Sequence, residues 1–161
     1  MIFKLRNVRV PYGIEEYEGK QIVNVLMDNK TNVGYNTLMN LVNKIKIFEN
    51  LKNYESAVMA YELDGLEFVS PLKVDEWGIK NIKKEEIKEE MMDNELFLLR
   101  IYMKYGATIS GKGRLEESCK FTSVDLRGKN MNIEGEFGSM WVENNTKSYG
   151  IIMYVTKFVL I

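Results

Sequence analysis

The stretch SYGIIMYVTKFVLI, residues 148–161, places apolar side chains on both faces of a single predicted strand. The residues on the two faces are Ile151, Met153, Val155 and Val159 on one, and Ile152, Tyr154, Phe158 and Leu160 on the other. A strand covered on both faces lies inside its own domain or pairs with a second copy across a dimer. We therefore expect a buried C-terminal strand, with a homodimer through this strand as the alternative.

Three further strand-like segments precede this stretch. They are LFLLRIYMKY at 96–105, KFTSVDLR at 120–127 and MNIEGEF at 131–137. Turn residues separate them at 111–113, 128–130 and 144–146, a pattern typical of an antiparallel meander. The first segment is also compatible with a helix, since periodicity alone does not separate a short buried helix from a strand.

The N-terminal half mixes both kinds of element. Alternating apolar residues predict strands at 2–10, with a bulge near Asn7, and at 21–28. An apolar stripe predicts a helix at 36–52, Asp64–Gly65 predicts a tight hairpin turn, and a second helix is expected at about 79–92. The sequence therefore predicts one α+β domain over 1–161, with a mostly antiparallel sheet of seven to nine strands and one or two helices packed on it.

Composition excludes several classes of protein. The formal net charge is −1, without the basic excess of a typical nucleic-acid binder. The chain has no histidine and a single cysteine, which excludes an internal disulfide and most zinc sites. The N-terminus lacks the apolar core of a signal peptide, and the C-terminal stretch is too short for a membrane helix and contains Lys157. We expect a cytoplasmic protein with no membrane contact.

A glycine-rich segment at 105–113, YGATISGKG, approaches the phosphate-binding loop pattern. Gly106, Gly111 and Lys112 have the required spacing, but Gly113 stands where the pattern needs a Mg²⁺-binding hydroxyl, and no helix pattern follows. The segment is better read as a hairpin turn. An alternative hypothesis keeps a role for it: nucleic-acid or nucleotide binding through the Gly111–Arg114 loop, with Lys112, Arg114 and Arg127 as ligand-binding residues.

Clustered carboxylates allow a second alternative, a divalent-metal hydrolase. The acidic groups are Glu15, Glu16 and Glu18, and later Glu134 and Glu136. The two Glu-x-Lys matches are what chance gives in a chain so rich in both residues. Without histidine the usual nucleophile–base pairs cannot form, so we predict no catalytic residue, no metal ligand and no cofactor.

Elimination leaves binding as the leading hypothesis. Exposed aromatic side chains often anchor interfaces, and we take Trp77 and Tyr149 as the interaction residues. Lys outnumbers Arg 17 to 5, and Ala occurs three times, a bias typical of A+T-rich genes such as those of many phages and mobile elements. We expect a non-enzymatic inhibitory protein that docks stoichiometrically on another macromolecule, with a protein as first choice of partner and a phage or mobile element as source.

Overall fold

A computed structural model of the chain describes residues 1–27, 32–53, 63–74, 97–119 and 125–161. Over these ranges the chain forms one α-helix and a sheet of nine strands. The helix is α1, Asn32–Glu49, and one turn of 3-10 helix follows at Asn50–Asn53. The strands are β1 Ile2–Arg9, β2 Ile14–Tyr17, β3 Lys20–Met27, β4 Glu67–Phe68, β5 Leu72–Val74, β6 Phe97–Gly111, β7 Arg114–Ser118, β8 Asn130–Glu143 and β9 Ser148–Leu160.

Five of the strands close on themselves. β1 pairs antiparallel with β3 and β8, β3 pairs antiparallel with β6, and β9 pairs antiparallel with β8 and parallel with β6. The order β1–β3–β6–β9–β8 therefore returns to β1 and forms a small barrel of the OB-like kind. The predicted α+β class and the mostly antiparallel sheet of seven to nine strands are confirmed. The extent of the domain, 1–161, stays a prediction.

Apolar side chains from alternate positions fill the barrel. On β3 and β6, for example, Val23, Val25, Leu99 and Ile101 point inward and are fully buried. Helix α1 packs against β1 and adds its apolar stripe to this core, as predicted. Phe48 lies 4.9 Å from Phe137, ring centroid to ring centroid. The helix begins at Asn32, one turn before the predicted start.

Bulges shift the faces of two strands. Asn7 has a positive φ of 52°, and the pairing of β1 with β8 changes register between Leu5 and Val8, which confirms the predicted bulge. In β9 the register with β8 shifts opposite Glu134 and Gly135. A one-residue slip moves all following side chains to the other face of a strand. Phe158 consequently joins the core together with Val155, contrary to the two-face assignment made from strict alternation.

Strand β9 lies inside the sheet. Over 154–160 it pairs with β8 along one edge and with β6 along the other. Its apolar character therefore reflects burial within the chain. The alternative of a homodimer through the C-terminal strand is corrected, because both edges of that segment already carry their hydrogen bonds.

Turns and helices elsewhere match the predictions in part. Asp64–Gly65 forms a tight turn in which the amide of Leu66 donates to the carbonyl oxygen of Leu63 over 3.0 Å. The helix expected at 79–92 lies outside the described residues. The expected strand at 120–127 is described only from 125 onward, where Arg127 makes an isolated bridge to Val10. Within the described ranges, no helix is both long enough and apolar enough to cross a membrane.

Candidate functional site

The outer face of the barrel carries a cluster of tyrosine rings where β3, β6 and β9 lie side by side. Tyr102 on β6 pairs with Ile22 on β3 and with Tyr154 on β9. The ring centroids of Tyr102 and Tyr154 are 6.4 Å apart, and the rings are tilted by 55°. A side chain at Gly138 on β8 would collide with the ring of Tyr154, so this glycine makes room for the ring. Both rings are only partly buried.

A wide bulge in β6 adds a third ring. Between the pairs Met103–Val155 and Thr108–Lys157, four residues of β6 face one residue of β9. Gly106 has a φ of +84°, which lets the backbone turn outward at this point. The bulge projects Tyr105 into solvent, with 96% of its surface exposed.

Cationic side chains lie among these rings. Lys20 on β3 places its ammonium 5.7 Å from the ring centroid of Tyr102. Next to it, the guanidinium of Arg100 lies over the ring of Tyr17, 4.6 Å from the centroid. Both geometries lie within the range of cation–π attraction, which favours the placement of these charges beside the rings.

The three tyrosine rings and Lys20 line an open groove of about 680 Å³. We call it the tyrosine groove and define it by Lys20, Tyr102, Lys104, Tyr105, Cys119 and Tyr154. Among the described residues, its lining includes two lysines and no carboxylate. Lys104 forms an ion pair with Glu136, which lies on β8 outside the lining. Burial, and secondarily the charge of Glu117, raises the pKa of the Cys119 thiol to about 11, so the thiol is protonated at neutral pH.

The chemistry available in the tyrosine groove is stacking and charge. Aromatic faces accept flat π-systems, and lysine ammonium groups attract anions. The described part of the chain holds no group of three or more His, Cys, Asp or Glu residues able to hold a metal ion. The groove is therefore suited to a ligand that combines flat rings with negative charge.

The glycine-rich segment 105–113 leads into a hairpin turn, as predicted. Gly111, Lys112 and Gly113 all have positive φ and join β6 to β7. A side chain at Gly111 would collide with the carbonyl oxygen of Leu160, so the glycine is required where β6 and β9 approach closely. Arg114 forms an ion pair with Glu117 over 2.8 Å.

Arg127 lies on a different element from the hairpin tip. Its side chain packs against Gly13, and its guanidinium donates two bonds to the carboxylate of Asp125, from Nε to Oδ1 over 3.0 Å and from Nη2 to Oδ2 over 2.8 Å. These bonds lower the pKa of Asp125 to about 2. A ligand role for Lys112, Arg114 and Arg127 stays a prediction.

The two residues predicted to anchor a partner have different outcomes. Trp77 lies outside the described residues. Tyr149 is fully buried, and its hydroxyl donates to the carbonyl oxygen of Glu49 over 2.7 Å, while burial raises its pKa. The assignment of Tyr149 to an interaction surface is therefore corrected: it ties β9 to the end of α1.

Three of the five carboxylates named for the metal-hydrolase alternative have protein partners of their own. Glu15 accepts a hydrogen bond from the side-chain amide of Asn24 over 2.9 Å. Glu134 faces Lys4 at 3.9 Å, and Glu136 pairs with Lys104. The structure thus offers no support for the metal hydrolase.

Sequence reasoning did not single out Tyr102, Tyr105 or Tyr154. The available signal was the alternation of Arg100, Tyr102 and Lys104 at the polar positions of a strand. That signal places the residues on one face, but only the pairing of β6 with β3 and β9 brings the rings together.

No protein-family model matches the sequence, and no curated protein matches it. Solved structures do match by fold. Gp2.5, a single-stranded DNA binding protein encoded by bacteriophage T7, aligns over 99% of this chain and 91% of its own, with 12% identity and a TM-score of 0.60. The single-stranded DNA-binding protein from bacteriophage Enc34 in complex with ssDNA aligns over 99% of this chain and 85% of its own, with 14% identity and a TM-score of 0.59.

A second structure of the Enc34 protein gives 13% identity and a TM-score of 0.60 over 99% of this chain and 79% of its own. At these identities the likeness shows a shared fold. It also overturns the leading hypothesis of a stoichiometric inhibitor docking on a protein, because these similar structures are those of phage DNA-binding proteins. The alternative of nucleic-acid binding agrees better with these structures than the inhibitor hypothesis does.

Proposed function

We propose that this chain binds single-stranded nucleic acid, and DNA in particular, in the tyrosine groove. The observation that carries the proposal is the set of three partly or fully exposed tyrosine rings beside two lysines on one face of the barrel. Proteins that bind single strands without sequence preference combine these two features, because every base has a π-face to stack and every nucleotide a phosphate.

The position of the groove supports the same proposal. OB-folds bind oligonucleotides across their second and third strands and the adjoining loops. In this barrel those strands are β3 and β6, which supply Lys20, Tyr102 and Lys104 to the tyrosine groove. The fold likeness to phage single-stranded DNA-binding proteins adds support, and it agrees with the phage or mobile-element source inferred from composition.

The low net charge does not oppose this function. Affinity from stacking needs no basic excess, since each stacked base contributes ~1–3 kcal/mol independently of counterion release. Lys20 and Lys104 then add attraction for the phosphates of the backbone. We therefore expect binding that weakens with salt, but less steeply than that of a strongly basic protein.

The test is the affinity for a dye-labelled oligothymidine, measured by fluorescence anisotropy at low salt. Tyr102→Ala is expected to weaken binding roughly 5- to 150-fold, the equivalent of one lost stacking contact. Tyr102→Phe keeps the aromatic face and should bind nearly as the parent does.

Tyr35→Ala serves as the matched control, because Tyr35 is an exposed tyrosine on α1 outside the tyrosine groove. Thermal melting of each variant shows whether the fold is retained. The proposal fails if the parent chain does not bind the oligomer at low salt, or if Tyr102→Ala binds as tightly as Tyr35→Ala. Oligouridine and duplex competitors establish the preference among DNA, RNA and paired strands.

A further inference from the structure

A second groove, of about 560 Å³, lies between helix α1 and the outer face of β1. We call it the helix groove and define it by Ile2, Lys4, Arg6, Asn36, Asn40 and Lys44. Residues two apart on a strand share a face, and residues four apart on a helix lie one above the other. The helix groove therefore has two facing walls, each carrying hydrogen-bond donors.

The helix groove is lined by positive charge. Its described lining includes three cations and no carboxylate. Lys44 donates from Nζ to the carbonyl oxygen of Ile2 over 2.9 Å, which holds its ammonium between the two walls. Lys4 faces Glu134 at 3.9 Å in an exposed pair, an arrangement that adds little stability and releases the lysine easily.

Arg6 is the residue best suited to a planar or tetrahedral oxyanion. Its side chain is exposed and lines the helix groove. A guanidinium presents a rigid fork of donors that matches two oxygens of a phosphate. The amide groups of Asn36 and Asn40 lie in the opposite wall and supply further donors.

We infer that the helix groove binds a phosphate group. It is separate from the tyrosine groove, with which it shares no lining residue, and the carboxylates of Glu134 and Glu136 on β8 lie between β1 and β9. The phosphate comes either from the backbone of a nucleic acid or from free phosphate. The first source rests on the proposed function, and the second does not.

The first experiment addresses the helix groove alone. Inorganic phosphate is titrated at constant ionic strength while NMR follows the side-chain signals of Arg6, Asn36 and Asn40. Saturable shifts are expected in the parent chain and in Lys46→Ala, since Lys46 is an exposed lysine of the same helix outside the groove. The shifts of the Asn36 and Asn40 signals should be lost in Arg6→Ala and only partly restored in Arg6→Lys, because an ammonium keeps the charge but not the fork of donors.

The second experiment identifies the source. The affinity for a short and a long oligothymidine is measured as a function of salt. If the backbone enters the helix groove, Arg6→Ala lowers the salt slope for the long oligomer by about 0.7 and leaves that for the short one unchanged. Lys46→Ala should leave both slopes unchanged.

The two experiments distinguish a backbone site from a free-phosphate site. A lowered slope for the long oligomer supports the helix groove as a backbone site, and saturable phosphate shifts alone support it as a free-phosphate site. The inference is overturned if Arg6→Ala changes neither readout while its melting temperature shows it to be folded. If the parent chain binds no nucleic acid, the proposed function fails, and the phosphate titration still decides the inference.

Discussion

Strand β6 passes through two regions that differ in composition and in chemistry. Its middle, Tyr102–Tyr105, supplies two rings and one lysine to the tyrosine groove, whereas its end, Gly111, opens the glycine-rich hairpin tip. At the tip the glycine spacing has a packing cause, since Gly111 makes room for the backbone of Leu160. In the groove no spacing motif exists, and pairing with neighbouring strands assembles the site. A short motif can therefore reflect strand packing while the binding surface carries no motif.

The largest effect expected from this comparison is on stability. Gly111→Ala introduces a side chain that collides with the carbonyl oxygen of Leu160 and strains a residue with φ +98°. We expect a loss of more than ~3 kcal/mol in the free energy of unfolding, measured with urea.

Gly113→Ala is the matched control for this variant. Its φ is +73°, but no atom lies within 4 Å of the added carbon. We expect only the backbone cost of ~1–2 kcal/mol. If the two variants prove about equally stable, close packing against Leu160 is not the reason that Gly111 is required.

The second prediction concerns binding at the bulge. Tyr105→Ala should weaken oligothymidine binding roughly 5- to 150-fold and leave the melting temperature unchanged, because the side chain is almost fully exposed. Leu115→Ala on β7 is the control, an apolar residue that is 88% exposed and outside the tyrosine groove. If Tyr105→Ala and Leu115→Ala bind oligothymidine equally tightly, Tyr105 does not contact the bound strand.

The third prediction compares lysines of the two regions. Lys20→Ala removes an ammonium held beside the Tyr102 ring, and should reduce the salt slope of oligothymidine binding by about 0.7. Lys112→Ala at the hairpin tip should change the slope by less than half as much. A larger change in the salt slope for Lys112→Ala than for Lys20→Ala would indicate that the nucleic-acid backbone contacts the Gly111–Arg114 loop.

Local patterns predicted most of the fold. The apolar stripe identified α1, alternation identified β1, β3 and β8, and the turn at Asp64–Gly65 follows from the freedom of glycine. The failures are non-local. The faces of β9 depend on a register shift that is set by its pairing with β8. Strand β7, with the sequence RLEES, has too few apolar residues to show an alternating pattern, and only its pairing with β6 defines it.

The candidate site was harder to predict from the sequence than the fold, because it too depends on pairing between distant strands. Tyr102 and Tyr154 are 52 positions apart in sequence, and parallel pairing of β6 with β9 brings their rings together. Tyr149 lies in the same C-terminal stretch as Tyr154, and nothing in the neighbouring sequence indicates that Tyr149 is buried while Tyr154 is partly exposed. Exposure of an aromatic side chain depends on what covers it, and that is a property of the assembled barrel.

The smallest predicted effect concerns the pH dependence of the Asp125–Arg127 pair. NMR titration of the Asp125 carboxyl should give a midpoint of about 2 in the parent chain, and a value near the ordinary pKa of aspartate in Arg127→Ala. Because the folded pKa is lowered, the pair's contribution to stability is present above about pH 4 and is lost as pH falls toward 2. That contribution is small, since both side chains are exposed to water.

This pair also tests whether Arg127 binds a ligand. A guanidinium that already donates to a carboxylate must leave it before it can hold a phosphate. Asp125→Asn removes that competition and should leave oligothymidine affinity unchanged if binding is confined to the tyrosine groove. A gain in affinity that disappears when Arg127→Ala is added would instead place Arg127 on the path of the backbone, and would extend the site from the outer face of the barrel to the loop beside Gly13.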